Sequence, residues 1–421
     1  MKTRAIRLYG ERDLRLDTFD LPPMKDDEIL VKVVSNSICM STYKAVLQGK
    51  RHKRVPNDCD VNPIVTGHEF AGVILKVGSK WQGQFQVGDK FAIQPALNYK
   101  GSMDSPGYSF RWYGGNMTYA VIPQEVMEIN CLIKYEGDAF FEASLAEPMS
   151  CNIGAFHAAY HTIPSTYTHV MDIKEGGNMA ILGGCGPMGL GAIDYAIHRD
   201  KKPGRLVVTD IDNTRLARAN ELLSVEEAAK HGVKLHYVNP NEHADPIAYL
   251  RGLTEDTGYD DVMVYVPVQD LVIQGDQLLG KDGTLNFFAG PIDPSFRAPI
   301  NLYNVHYGAT KIIGSTGGNT DDMIESLELT AAGRINPAVM VTHVGGLDAG
   351  VDTILNLPDI PGGKKLLYTE VNMPLTAIDA FDTLAERDPR FLELHEINKR
   401  HKFLWSLEAE RFLLEHFATE S

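Results

Sequence analysis

The chain has 421 residues, 44% hydrophobic and 23% charged, an ordinary globular composition long enough for two or three domains. Its 55 acidic and 40 basic residues give a net charge of −15, which argues against general nucleic-acid binding but not against a small anion held by a local basic cluster. No stretch reaches the ~20 apolar residues of a membrane helix, and the opening MKTRAIRLYG lacks the apolar core of a signal peptide. Five scattered cysteines (Cys39, Cys59, Cys131, Cys151, Cys185) do not make a disulfide framework, so a reducing cytoplasm is the expected setting.

In chain order, residues 1–145 read as short β segments (EILVKVVSNSI, AGVILKV, DKFAIQP, TYAVIP) separated by Gly, Pro and Asp, the pattern of a barrel-like β unit. Around Glu147–His161 a helix-like run begins, with Pro148 suited to a first helical position. From Gly177 the order becomes strand, glycine turn, helix, strand (NMAILGG, CGPMGLGAIDYAIHR, RLVVTDID), and DDVMVYVP, GTLNFFAG and TKIIGSTGG continue it. Such alternation predicts a parallel sheet covered by helices. An amphipathic helix (DDMIESLELTAAG), two β-like pieces (VMVTHV, KKLLYTEV) and a helical tail complete the chain, with no internal repeat.

The loop GGCGPMGLG contains Gly184-x-Gly186-x-x-Gly189, with Pro187 and Met188 between, directly after a strand and opening a helix. Glycines there let the backbone approach a pyrophosphate seated on the helix N-terminus. The next strand ends in Asp210, a carboxylate suited to ribose hydroxyls and repulsive to a 2′-phosphate, which favours NAD(H). A plain tight loop or an S-adenosylmethionine site would show similar glycines. Arg215 either approaches the adenosine or is a solvated helix residue; in the first case it would tolerate a 2′-phosphate, so NADP(H) stays open.

In TGHEFAGVILKVG, His68 and Glu69 stand side by side at the mouth of an apolar strand, although neighbours on a regular strand face opposite ways. Either they are unrelated surface residues or the backbone bends so that both reach one object. This is not a zincin helix, because Gly72 occupies the place of the second histidine. Cys39 and Glu147 are candidate partners, since zinc accepts a thiolate, an imidazole and carboxylates together. A core cysteine and a helix-start glutamate are the plainer readings of those two. His157 and His161, read as i and i+4 on a helix, form a rival pair.

Together, Cys39-x-Ser41, Gly67-His68-Glu69-x-x-Gly72-x5-Gly78, QVGDKF, AEP and the nucleotide loop resemble the zinc-dependent medium-chain alcohol and polyol dehydrogenases, from the N-terminus to about Tyr368. The resemblance implies an α/β protein: a GroES-like β-barrel catalytic domain (1–155), a Rossmann-type doubly wound parallel-sheet domain (156–320), a return to the catalytic domain (321–370) and a helical extension (371–421). It also implies one catalytic zinc held by Cys39, His68 and a carboxylate, with Glu69 and Glu147 both close. Ser41 would pass a proton, and a homo-oligomer is expected. The stretch matching the family's four-cysteine lobe, QPALNYKGSMDSPGYSFRWYGG, has no cysteine, so no structural zinc is expected. Trp81 stands where a small or aliphatic residue is usual, and Lys44 replaces the histidine that commonly follows the cysteine by five positions, which unsettles the outer proton path.

Finer texture (STYKAVLQG, HKRVP, SLAEPMSCNIGAFHAAYH, NFFAGP, LNLPDIPGGKKLLY) is similar to bacterial sugar-phosphate reductases of the L-sorbose 1-phosphate reductase type. That likeness implies a substrate such as L-sorbose 1-phosphate or glucitol 6-phosphate. The run Lys50, Arg51, His52, Lys53, Arg54 is unusual in so acidic a chain, and Lys53 and Arg54 are the candidate phosphate contacts. A solvated loop is the plainer reading. An unphosphorylated polyol substrate, a zinc-free reductase and a non-catalytic dinucleotide sensor remain alternatives.

Overall fold

The protein was analysed as a computed structural model, which describes residues 1–418. None of its helices is long and apolar enough to cross a membrane. The chain forms two compact units: Met1–Glu147 together with the segment from Val341 onward, and Pro148–Met340.

In the first unit a large sheet runs in the order Thr376–Ala377, Val341–Gly346, Lys364–Tyr368, Ile29–Ser37, Glu69–Val77, Lys90–Ile93, Leu132–Tyr135, and Tyr119–Ile122 also pairs with Ile29–Ser37. Ile29, Val31 and Val33 are buried while Leu30 and Lys32 between them are only partly so, as a half-buried strand requires. They join Phe70, Ile74, Phe91 and Tyr113 in one apolar core. The register sets Ser37 opposite both Glu69 and Leu366. Cys39, Glu69 and Lys364 are thereby delivered to one end of three adjacent strands.

The helices Arg390–Arg400 and Leu407–His416 belong to this unit as well. Glu410, fully buried, accepts hydrogen bonds from the backbone N–H groups of Phe140 (2.6 Å) and Phe141 (2.8 Å) and from the Tyr368 hydroxyl (2.7 Å). Those N–H groups open the helix Phe140–Ala158 and have no partner within it. Burial pushes the Glu410 carboxyl up to about 7, against the pull of these donors.

The second unit is built on six parallel strands: Asn178–Leu182, Arg205–Thr209, Lys234–Val238, Tyr259–Val264, Leu279–Phe287 and Lys311–Gly314. Numbered one to six in that chain order, they lie 3-2-1-4-5-6, the dinucleotide-binding arrangement.

Three expectations change. The helix starts at Phe140, and Pro148 lies inside it rather than at its first position. A proline there removes only its own bond to the fourth residue before it, and the helix continues through it to Ala158. His157 and His161 do not share a helix, because the helix ends at Ala158 and His161 lies in the strand Tyr160–Ile163. Each has its own acidic partner, His157 with Asp322 (2.8 Å) and His161 with Asp261 (3.2 Å). The unit boundaries fall at 147/148 and 340/341 instead of 155/156 and 320/321. Residues 321–340 stay with the second unit because Asn336 and Arg334 bond to Asp194, His198 and Asp200 there.

Candidate active site

The bend before Glu69 is made by Gly67, whose φ of 89° lies in the left-handed region. A Cβ at this position would stand 2.7 Å from the Asn116 backbone nitrogen and 2.9 Å from Asn36 Oδ1, so only glycine fits. His68 precedes the strand and Glu69 is its first residue, and both are buried. Cys39, extended at the N-cap of the helix Met40–Gln48, faces them. One donor atom each of Cys39, His68 and Glu69 falls within 4.8 Å of the others. The two neighbours of the sequence motif do converge on one place.

Around this group the hydrogen bonds are specific. Ser41 Oγ donates to Cys39 Sγ at 2.9 Å and lies 3.3 Å from His68 Nε2, while Thr42 Oγ1 lies 3.5 Å from His68 Nδ1. The Tyr108 hydroxyl donates to Ser41 Oγ at 2.8 Å. Lys364 Nζ reaches both carboxylate oxygens of Glu69, at 2.5 and 2.6 Å, in a fully buried ion pair. Glu147, also buried, borders the cluster: desolvation and the Glu69 carboxylate push its own carboxyl up to about 8. Desolvation likewise raises the Cys39 thiol and lowers His68. Burial would lower Lys364 too, but Glu69 and Cys39 outweigh it and hold its pKa above the ordinary lysine value.

A buried thiol, imidazole and two carboxylates offset by one ammonium form a donor set that suits a divalent cation, whose charge would bring the raised Cys39 and Glu147 back down and favour the neutral imidazole of His68. The residues fit zinc. Among the described residues a second group, His198, Glu227 and His231, also brings donor atoms within 4.8 Å. There Asp194 holds His198 Nδ1 (2.8 Å) and Lys230 holds Glu227 (2.8 Å), so it forms an ion-pair network.

The nucleotide loop folds as its glycines suggest. Gly186 is the N-cap and Pro187 the first residue of the helix Pro187–His198, with Met188 and Gly189 in its first turn. A Cβ on Gly189 would lie 2.0 Å from the Gly184 carbonyl oxygen, so the turn closes only with glycine here. Asp210, just past the second strand, accepts from the Cys185 backbone N–H (3.2 Å) and the Asp212 N–H (3.1 Å). Arg215 is exposed and its nearest acidic partner is Asp212, 3.7 Å away.

The basic run separates by environment. Lys50 pairs with Asp60 (2.7 Å) and Arg51 with Glu11 (2.7 Å) at the surface, and Lys53 is exposed. His52 and Arg54 are half-buried, and both lie against Tyr108. The Arg54 guanidinium carbon lies 5.5 Å from the Tyr108 ring centroid, and its buried Nε has no hydrogen-bond partner among the described residues.

This fold and site define a zinc-binding dehydrogenase. Residues 25–130 match the alcohol dehydrogenase GroES-like domain and residues 187–332 the zinc-binding dehydrogenase domain. Mannitol-1-phosphate 5-dehydrogenase of Aliivibrio fischeri is 54% identical over 99% of this chain and 98% of that protein. L-sorbose 1-phosphate reductase of Klebsiella pneumoniae is 48% identical over 98% of each. The chain belongs to the zinc-binding alcohol and polyol dehydrogenase family. The fold is shared with 2R,3R-butanediol dehydrogenase from Bacillus subtilis, at a TM-score of 0.70 and 20% identity, covering 87% of this chain and 99% of that one.

Two residues of the site escape a reading of the sequence. Lys364 lies in the GGKK stretch and Tyr108 in the cysteine-free lobe. Neither carries a local signal, because each meets its partner only through strand register or loop packing.

Proposed function

We propose that the enzyme interconverts a keto-sugar phosphate and the matching polyol phosphate, with NAD(H) as the preferred hydride partner. One zinc per chain is assigned to Cys39, His68 and Glu147, since Glu69 is already held at both oxygens by Lys364. Zinc bound there would supply Lewis acidity at the substrate oxygen, and the nicotinamide would supply or take the hydride. The chain's own contribution is the rest. Thr42 beside Nδ1 orients the His68 ring, Lys364 holds both carboxylate oxygens of Glu69, and Ser41 presents a hydroxyl where the substrate oxygen would gain or lose its proton. We place the enzyme in the cytoplasm, where a thiol ligand stays reduced.

The observation that carries the phosphate is Arg54, an inward-turned guanidinium with a partnerless buried Nε beside the metal-ligand cluster. The names of the two full-length relatives point to the same substrate class. Arg54→Ala should raise KM for a phosphorylated substrate about 10–100-fold, the worth of one charge-assisted contact, and leave the unphosphorylated parent nearly unchanged. Equal losses on both substrates would return the basic run to a solvated loop. Lys53, exposed at the surface, should matter less and be screened by salt.

Asp210 is assigned to the adenosine ribose. Asp210→Ser should shift kcat/KM toward NADPH over NADH by at least about tenfold, because removing ~1.4 kcal/mol of carboxylate–phosphate repulsion suffices. A native enzyme that already favours NADPH strongly would contradict this assignment.

A further inference from the structure

The cysteine-free lobe carries a buried tyrosine. It inserts Tyr108 into the centre of the first unit, where the side chain is 3% exposed. Gly107, at φ 81°, makes this entry: a Cβ there would lie 2.6 Å from the Gly67 carbonyl oxygen, so the lobe backbone runs directly against the bend that carries His68. Ser105 Oγ donates to the Pro95 carbonyl (2.8 Å), and Ser109 Oγ donates to the Arg54 carbonyl (2.8 Å). The Ser105 bond closes the lobe on itself before the tyrosine, and the Ser109 bond fastens it to the basic loop just after the tyrosine.

Tyr108 then touches both halves of the site. Its hydroxyl donates to Ser41 Oγ, and Ser41 donates onward to Cys39. A serine hydroxyl has a single hydrogen, so a donor on its lone pair fixes the direction in which that hydrogen points. The Tyr108 ring stacks on His52 (centroids 5.3 Å apart, planes at 12°), lies 5.0 Å from the His68 ring and faces the Arg54 guanidinium. Burial by this ring, with the charges of Arg54 and Lys53, lowers His52 to about 4, so His52 is a neutral stacking partner and not a competing cation.

We propose that Tyr108 is a positioning residue that holds two groups in register: its hydroxyl, donating to Ser41 Oγ, fixes the orientation of the Ser41 hydroxyl beside the metal-ligand cluster, and its ring seats Arg54 for the phosphate. The inference rests on the sugar-phosphate reading above but makes separable claims. Tyr108→Phe keeps the ring and removes the hydroxyl, whereas Tyr108→Leu removes both.

Zinc-loaded native enzyme and both variants, matched for zinc content and melting temperature, are assayed on a sugar phosphate and on its unphosphorylated polyol. Inorganic phosphate binding is measured alongside by calorimetry without cofactor. Tyr108→Phe should lower kcat about tenfold on both substrates with KM and phosphate affinity within about twofold of native. Tyr108→Leu should add a loss of phosphate affinity of about tenfold, matched by a rise in KM for the phosphorylated substrate only. Unchanged kcat in Tyr108→Phe overturns the first claim, and native phosphate affinity in Tyr108→Leu overturns the second. If the native enzyme neither binds phosphate nor prefers the phosphorylated substrate, the substrate reading and the Arg54 seat both fall. The hydroxyl claim is then decided by kcat on the polyol.

Discussion

Cys39→Ala is expected to give a folded protein that retains almost no zinc and turns over no substrate. Cys39 sits at a helix N-cap beside His68 and Glu69, and among the described residues its thiol hydrogen-bonds with Ser41 alone, so alanine removes little of the fold. What disappears is the one soft donor of the group. Loss of a merely outer partner weakens zinc sites about 10–100-fold, and removal of a direct ligand should exceed that range. Cys59→Ala serves as the control, since Cys59 lies in a separate apolar cluster of the same unit. Elemental analysis and turnover decide the matter together. Zinc retained at the native level, or full activity in zinc-free native protein, would remove Cys39 from the mechanism. Two zincs per native chain would refute the single site.

The second large effect concerns stability. Lys364→Met strands the Glu69 carboxylate in a buried position where, among the described residues, Lys364 is the cation within hydrogen-bonding range. Breaking a buried ion pair from one side typically costs about 3–5 kcal/mol, whereas removing both members is often nearly neutral. All three tryptophans, Trp81, Trp112 and Trp405, lie in the first unit, so tryptophan fluorescence in urea with chelator present reports that unit alone. Lys364→Met should shift its transition by that amount, and the double variant Lys364→Met with Glu69→Gln should regain most of it. A loss below about 1 kcal/mol in the single variant, or no recovery in the double, would mean that Glu69 does not depend on Lys364.

The contiguous parts of the site were legible in the sequence. Cys39-x-Ser41, the Gly67-His68-Glu69 bend and the Gly184–Gly189 loop are local backbone devices, in which the glycine needed for a turn and the side chain it presents lie within a few residues of each other. The strand alternation that gives the parallel sheet is local too. Long-range matters were not legible. Lys364 meets Glu69 across 295 positions through the pairing of the strand Lys364–Tyr368 with Ile29–Ser37. Tyr108 reaches Ser41 because two glycine backbones pack together. Pro148 misled because a proline suits the first turn of a helix, yet this helix had already begun eight residues earlier and absorbed it.

Glu410 has a temporal meaning. The helix that carries Glu147 is capped at its first turn by a carboxylate 270 positions later in the chain, and the Glu69 charge waits for a lysine 295 positions later. On the ribosome, therefore, the continuous Pro148–Met340 unit can fold as soon as it emerges, while the first unit stays open until both latecomers arrive. Lengthening such a connection is thermodynamically mild, about 0.6 kcal/mol per doubling, but it delays closure. The partners of Glu69 and of the first turn of the Glu147 helix are thus both synthesised after the second unit is complete.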